Sequence, residues 1–340
     1  MKIDEEQRRK LDMAAERLLA KVRAARKQYG VELGATGAPR PAGYHEDDPL
    51  LSKMDTRWLQ AIEPENSALD ALFREMLASA PKPDTAGLPK LGADDLWVWG
   101  GPTPYWGGTM ADDTLVRGAD YFGARNVVYV YGPTSEKMLG LHAKYHKMLC
   151  QINSNCRTPG AQAGATDEEN AEQLSRLSLK FPNIVGAMCD DISVQYRKIV
   201  LPEPFAALSR GLKKHNPALK LYGVIYAHEL GVKDFSLILP YLDTVNLWFW
   251  NKDDILEYDE KLALCREIFP GKPILQGVFL HEYGRSDAAN LPELLFYQLD
   301  KARKYIAQGA VEGVVLLGDR EIKKWPDTAA AVRNYLRTQC

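Results

Sequence analysis

The chain has 340 residues, of which 46% are hydrophobic and 26% are charged, as in ordinary globular proteins. Its 43 basic and 45 acidic residues give a net charge of −2. Phosphate binding needs a surplus or a stripe of basic residues, so we expect no nucleic-acid partner. No apolar run approaches the length of a membrane span, so we expect no membrane partner either.

The amino-terminal segment MKIDEEQRRKLDMAAERLLAKV has neither the apolar core nor the small-residue cleavage site of a signal peptide. The sequence as given therefore predicts a cytoplasmic protein, or a secreted or periplasmic one if a leader has been removed. The five cysteines show no CxxC spacing, and we interpret them as free thiols. A disulfide between Cys150 and Cys156 is the alternative.

The first 90 residues have the pattern of helices rather than of a complete domain. Residues 4–29 form one amphipathic pattern, in which apolar residues recur at i, i+3, i+4 and i+7. The Gly- and Pro-rich residues 30–48 predict a loop, and two further helices are predicted at roughly 48–62 and 65–79. This segment looks too thin to bury a core alone, so we interpret residues 1–90 as a helical extension packed on a second domain.

From residue 94 onward, short apolar runs alternate with helical patterns. The predicted strands are 96–100, 126–132, 148–153, 183–189, 219–227, 244–250, 273–281 and 312–318. Alternating units of this kind imply an α/β protein with a parallel sheet, and eight of them match a closed (β/α)₈ TIM barrel of roughly 250 residues. An open sheet would carry GxGxxG after its first strand, and this chain has WGGPTPYWGG there. We therefore predict a barrel domain over 91–340.

Catalytic and binding groups of such barrels lie at the carboxyl ends of the strands and in the loops that follow. At these positions the sequence is rich in aromatic, amide and acidic residues, which suit a sugar because its C–H faces stack on rings and its hydroxyls need paired donors and acceptors. The predicted carbohydrate-binding residues are Trp99, Tyr105, Trp106, Tyr131, Asn153, Asn155, Arg157, Tyr226, His228, Glu229, Trp250, Asn251, His281, Tyr283 and Asp319.

The tryptophans divide by their depth in the strands. Trp97 and Trp248 lie deeper, so we predict that they pack in the core. Trp99, Trp106 and Trp250 come at strand ends, so we predict that they form platforms for a ligand at the rim of the barrel.

Three acidic residues are the predicted catalytic groups. Asp190 and Asp191 directly follow the apolar run NIVGAMC. Strand alternation should send their carboxylates to opposite sides, so we expect one at the barrel mouth, with the other orienting a neighbour or capping a loop. Glu282 lies between His281 and Tyr283, where the seventh predicted strand ends.

The segment KFPNIVGAMCDDIS resembles stretches of (β/α)₈ glycoside hydrolases in which Pro-Asn-Ile-x-Gly leads a strand into acidic residues. The carboxylates after the fourth and seventh predicted strands are similar to those of the large clan with its acid on strand 4 and its nucleophile on strand 7. That clan has Asn-Glu on strand 4, where this chain has Asp190-Asp191. The resemblance implies a glycosidase with Asp191 or Asp190 as general acid/base and Glu282 as nucleophile or base.

Independently of the resemblance, hydrolysis of a glycoside needs one protonated carboxyl group and one ionised carboxylate. Aromatic and polar neighbours such as Tyr283, His281 and His228 could set the two carboxyl groups apart in this way. We predict no cofactor and no metal for this chemistry.

Two other functions remain open from the sequence. One is a metal-dependent sugar isomerase, epimerase or hydrolase; its candidate ligands are Asp190, Asp191, His228, Glu229, His281, Glu282 and Asp319. The other is a carbohydrate-binding barrel without catalysis. Lys252 is a further, weaker candidate, for Schiff-base chemistry.

Overall fold

The computed structural model describes residues 3–29, 31–33, 39–41, 57–103, 109–132, 134–152, 166–193, 196–286 and 288–338. The amino-terminal part contains helix α1 (Glu5–Tyr29), strands β1 (Val31–Leu33) and β2 (Pro39–Pro41), and helix α2 (Arg57–Ser79). The prediction of the first helix is confirmed. The predicted loop instead contains a short antiparallel ribbon, in which β1 pairs with β2.

Helix α2 differs from the prediction of two separate helices, because it runs without a break through Pro64. The predicted start at residue 48 lies outside the described residues. Proline removes one backbone hydrogen bond and crowds the preceding turn. On this helix the buried residues Trp58 and Ile62 before the proline continue into Leu69 and Phe73 after it. Burial along one stripe therefore outweighs the local cost of the proline.

The remaining strands form a closed parallel barrel, as predicted. They are β3 (Leu96–Gly100), β4 (Asn126–Tyr129), β5 (Lys147–Gln151), β6 (Ile184–Cys189), β7 (Lys220–Tyr226), β8 (Thr244–Trp248), β9 (Ile274–Val278) and β10 (Gly313–Leu317). Each strand pairs with the next along the chain, and β10 pairs with β3 to close the ring. Several predicted strands extend further, because their last apolar residues belong to the loops at the barrel mouth.

The helices that surround the barrel follow the strands in alternation. They are α3 (Thr114–Phe122), α4 (Glu136–Leu141), α5 (Asp167–Leu177), α6 (Glu203–Lys213), α7 (Lys252–Leu256), α8 (Tyr258–Ile268), α9 (Pro292–Ala307), α10 (Asp319–Lys324) and α11 (Pro326–Thr338). Helix α5 begins with a capping box: Thr166 accepts from the backbone N–H of Glu169, whose side chain accepts from the backbone N–H of Thr166. None of the described helices is long and apolar enough to cross a bilayer.

Two apolar layers hold the barrel together. One fills the inside of the barrel and includes Trp97 and Trp248, which confirms that both tryptophans are core residues. The ring of Trp248 lies so close to Gly277 that a Cβ there would fall 1.9 Å from it. The other layer lies between the strands and the surrounding helices, and it continues into the buried faces of α1 and α2.

The amino-terminal helices lie on the outside of the barrel. Helices α1 and α2 pack along each other, and α2 contacts α7 and α9, which follow β8 and β9. This places the extension beside two of the loops that shape the mouth. The division into 1–90 and 91–340 stays a prediction.

The described cysteines, Cys150, Cys189 and Cys265, are buried thiols. Burial raises the pKa of the Cys265 thiol to about 12, so it stays protonated and unreactive at neutral pH. Cys156 and Cys340 lie outside the described residues.

Candidate active site

Asp190 and Asp191 directly follow β6, and both are buried. Asp191 has a φ of 50°, a left-handed conformation that breaks strand alternation. The hydroxyl of Tyr226, which belongs to the interior layer, donates to Asp191 Oδ1 at 2.5 Å. The backbone N–H of Asp191 donates to Asp190 Oδ1 at 2.9 Å. The backbone turn at Asp191, rather than strand alternation, brings the Asp191 carboxylate to Tyr226, and the expectation that the two carboxylates face opposite sides stays a prediction.

Tyr226 is a hydrogen-bond donor to Asp191. Its burial, together with the charges of Asp191 and Asp190, raises the pKa of the Tyr226 hydroxyl well above its ordinary value of 10. The hydroxyl therefore stays protonated at any physiological pH. A hydrogen bond donated to a carboxylate oxygen favours the ionised carboxylate, so Tyr226 supports a negative charge on Asp191.

An aromatic wall lies beside the carboxylates; we define it as Tyr226, His228, Trp250 and Tyr283. The Trp250 ring is centred 4.5 Å from Tyr226, 5.5 Å from His228 and 4.3 Å from Tyr283. Trp250 is half-buried and His228 is exposed, so the wall has accessible ring surface. Gly284 makes room for it, since a Cβ there would lie 2.3 Å from Trp250 Cδ1. The predicted rim residues of β7, β8 and β9 are thus brought together.

Trp99 and Tyr131 lie deeper than predicted. Trp99 is only 3% exposed, and its ring meets Trp248 edge-on at 5.7 Å. Its Nε1 donates to the hydroxyl of Tyr131 at 3.1 Å, and the backbone N–H of Tyr131 donates to Gln151 Oε1 at 3.3 Å. Both rings belong to the packed interior below the mouth, so Trp99 is not the rim platform that its place at a strand end suggested.

The side chains of the neighbouring residues His281 and Glu282, which follow β9, point to opposite sides of the chain. Phe279 belongs to the interior layer, whereas Leu280 belongs to the layer between strands and helices. The same alternation turns His281 toward the mouth and Glu282 toward the surrounding helices.

The carboxylate of Glu282 has no exposed surface. It accepts hydrogen bonds from Arg285 Nη1 at 2.8 Å and from the Ser286 hydroxyl at 3.3 Å, and Lys252 Nζ lies 3.9 Å away. A carboxylate that is enclosed and neutralised in this way cannot reach a substrate. The prediction of Glu282 as nucleophile or base is therefore wrong, and its role is to hold the loop that follows β9.

Glu282 is one member of an ion network that reaches the amino-terminal helices. Lys252, whose side chain is 0% exposed, donates to Asp70 of α2 at 2.5 Å. Arg285 donates to Asp253 at 2.6 Å, and Arg8 of α1 donates to the other Asp253 oxygen at 3.2 Å. Lys252 is thus a buried structural cation, and the Schiff-base alternative is wrong. The contacts of Lys252 with Asp70 and of Asp253 with Arg285 and Arg8 join residues far apart in the chain, so the sequence alone carried no signal for them.

His281 lies beside a buried carboxylate. Its Nδ1 contacts Oε1 of Glu321, whose Oε2 accepts from the backbone N–H of Leu280 at 2.7 Å. The imidazole ring also lies 5.0 Å from Tyr283 and 5.7 Å from Phe279. Glu321 follows the last strand, which is the sequence signal for a mouth residue, but it was not among the predicted site residues.

Glu229 braces two loops rather than facing the mouth. Its carboxylate accepts from Lys233 Nζ at 2.7 Å, from the Ser193 hydroxyl and from the backbone N–H of Tyr226. Asn251 Nδ2 donates to Asp254 at 3.4 Å. Glu229 is therefore wrongly predicted as a direct sugar contact, whereas the prediction for the half-buried Asn251 stays a prediction.

The other predicted sugar-binding residues fall outside the described part of the structure. These are Tyr105, Trp106, Asn153, Asn155, Arg157 and the side chain of Asp319. They stay predictions.

The described residues include no group of three or more His, Cys, Asp or Glu side chains placed to hold a metal ion. Of the candidate ligands, Glu229 and Glu282 turn to separate cations, and His281 turns to Glu321. Over this part of the chain the metal-site alternative has no supporting cluster.

No protein-family model matches this chain, and no curated protein matches it in sequence. Among solved structures, concanavalin B has a TM-score of 0.46 and 11% identity over 72% of this chain and 99% of that one. Active domain 2 of a thermostable chitinase from Pyrococcus furiosus has a TM-score of 0.43 and 11% identity over 67% and 84%. A β-1,3-glucanosyltransferase from Rhizomucor miehei has a TM-score of 0.46 and 10% identity over 67% and 92%.

Proposed function

We propose that this protein is an enzyme that hydrolyses a glycosidic bond, with Asp190 and Asp191 as its carboxyl pair. The observation that supports this is the hydrogen bond of 2.5 Å from the Tyr226 hydroxyl to Asp191, next to Asp190, at the carboxyl end of β6. Two neighbouring carboxylates repel each other, which favours one shared proton over two full charges. Such a pair supplies the proton donor and the anion that glycoside cleavage needs.

The proposed roles follow from the partners of the two residues. Tyr226 favours the ionised form of Asp191, so Asp191 stabilises the positive charge that develops at the anomeric carbon. Asp190 is then the member that gives its proton to the leaving oxygen. The aromatic wall holds the sugar by its C–H face, with Trp250 at its centre.

The direct test is release of reducing ends from a panel of oligosaccharides and aryl glycosides by the purified full chain. We expect turnover on at least one substrate, lost in Asp191→Asn. Binding of a sugar without turnover, at equal affinity in the wild type and in Asp191→Asn, would instead favour the non-catalytic carbohydrate-binding barrel.

Trp250→Ala should weaken substrate binding more than it slows chemistry. Loss of the stacking ring should raise KM roughly tenfold, whereas kcat changes less. Trp250→Phe keeps an aromatic face and is the matched control. Its KM should fall between those of the wild type and Trp250→Ala. Unchanged KM in Trp250→Ala would place the sugar elsewhere in the mouth.

Chelation distinguishes this proposal from the metal-dependent alternative. Because proton transfer by the carboxyl pair needs no metal, EDTA treatment followed by dialysis should leave kcat unchanged. Loss of activity that Mn²⁺, Zn²⁺ or Mg²⁺ restores would show that a metal takes part, and elemental analysis of the purified protein would identify it.

A further inference from the structure

Two segments of the chain carry the rings at the centre of the aromatic wall. Trp250 follows β8 and Tyr283 follows β9, and the centres of their rings lie 4.3 Å apart. The segments also meet through the backbone, where the N–H of Gly284 donates to the carbonyl oxygen of Trp250 at 3.3 Å. The surface that the wall offers to a sugar therefore depends on the contacts that hold these two segments together.

Charged side chains join the two segments. Arg285, which follows β9, donates to Glu282 of the same segment at 2.8 Å and to Asp253, which follows β8, at 2.6 Å. Lys252, the neighbour of Asp253, has its Nζ 3.9 Å from Glu282. The side chains of all four residues are 15% exposed or less. Removing one partner from such a buried network leaves another charge uncompensated, so the pairing fixes how the two segments meet.

The amino-terminal helices hold this network from outside the barrel. Asp70 of α2 accepts from Lys252 Nζ at 2.5 Å, and Arg8 of α1 donates to Asp253 at 3.2 Å. Lys252 and Asp253 are the first two residues of α7, and they lie two and three positions after Trp250. Helix α2 also packs against α7. A change at either amino-terminal helix is therefore transmitted to the backbone that carries the Trp250 ring.

We propose that Asp70 and Arg8 are positioning residues for the sugar-binding wall, so that the amino-terminal helices complete the substrate site of the barrel; this inference rests on the proposed function. The two residues act through Lys252 and Asp253, and they are not themselves in contact with the sugar. Their contacts fix the segment after β8, which sets where the Trp250 ring lies. The proposed carboxyl pair follows a different strand, β6, so Asp70 and Arg8 govern binding of the sugar more than the chemical step.

The first experiment observes the Trp250 ring itself and needs no substrate. The full chain is labelled with 5-fluorotryptophan, and the ¹⁹F resonance that disappears in Trp250→Phe is assigned to Trp250. Asp70→Asn should shift or broaden this resonance, because the segment after β8 loses its contact with α2. Asp243→Asn is the control: Asp243 accepts from Lys213 at 3.0 Å and precedes β8, at the opposite end of the strand from Trp250. The Trp250 resonance should not change in this variant.

A double variant separates positioning from stability. Asp70→Asn leaves the buried charge of Lys252 without its closest anion, which destabilises the fold, and Lys252→Met in the same background should recover part of that stability. Methionine restores no contact with α2, so the Trp250 resonance should stay shifted. If Asp70 had only a structural role, stability and the resonance would recover together. Arg8→Gln tests the contact of α1 with Asp253; it should leave the fold intact and shift the resonance by a smaller amount.

Kinetics give the second measurement. With a substrate that the wild type cleaves, Asp70→Asn and the double variant should raise KM by about threefold to tenfold and change kcat less, because a displaced ring stacks less well on the sugar. Partial unfolding would instead lower the amount of active enzyme and leave KM unchanged.

Two outcomes would overturn the inference: an unchanged Trp250 resonance or a wild-type KM in the folded Asp70→Asn or double variant. The proposed function fails on different evidence, namely wild-type turnover in Asp191→Asn. In that case the Trp250 resonance still decides whether Asp70 and Arg8 position the wall.

Discussion

Asp191→Asn is expected to lower kcat by about 10²- to 10⁴-fold, the usual contribution of a carboxyl group that takes part in proton transfer or carries the charge of the reaction. Asparagine fills the same space and accepts a hydrogen bond from Tyr226, so the fold should be unchanged. Initial rates with aryl and alkyl glycosides, together with a thermal unfolding curve, measure both quantities.

Asp190→Asn should behave differently, because it removes the proton donor and not the anion. Alkyl glycosides, whose leaving oxygen needs a proton, should lose far more activity than activated aryl glycosides. Tyr226→Phe should cause a smaller loss with both substrates, since Asp191 is retained without its hydrogen bond. Asp234 is exposed on a neighbouring loop, so Asp234→Asn is the control and should keep wild-type rates with both substrates.

Wild-type rates in Asp191→Asn would instead show that the carboxyl pair is not the active site.

Asp70→Asn is expected to reduce the free energy of unfolding by about 3–5 kcal/mol, the range measured when one partner of a buried ion pair is removed. The reason is that Lys252, which is fully buried, loses its closest anion at 2.5 Å and keeps only Glu282 at 3.9 Å. Urea unfolding at pH 7 gives this free energy.

Two comparisons test whether the loss in Asp70→Asn comes from the buried charge of Lys252. Lys252→Met in the Asp70→Asn background removes this unpaired charge and should recover part of the lost stability. Glu6→Gln breaks the exposed pair with Lys10 on α1 and should change the free energy by less than about 0.5 kcal/mol. A loss below about 1 kcal/mol in Asp70→Asn would mean that the amino-terminal helices do not depend on this pair.

The site could be predicted in part, because the carboxyl ends of parallel strands meet at one edge of a barrel. This rule alone placed Asp190, Asp191, Trp250 and Tyr283 together. It could not show which of the two neighbouring side chains, His281 or Glu282, turns into the barrel. In a barrel surrounded by helices both faces of a strand are buried and apolar, so the pattern of residues does not reveal which face turns inward.

The sequence by itself determined the alternation of eight strands with helices, the helix at Glu5–Tyr29 and the region of the chain that contains the carboxyl pair. Those features depend on periodicity over neighbouring residues. Only the tertiary structure decided that Asp191 turns back toward Tyr226 and that Lys252 pairs with Asp70, 182 residues away. A left-handed backbone at one aspartate and a contact between distant segments leave no local pattern, since both are fixed by packing around them.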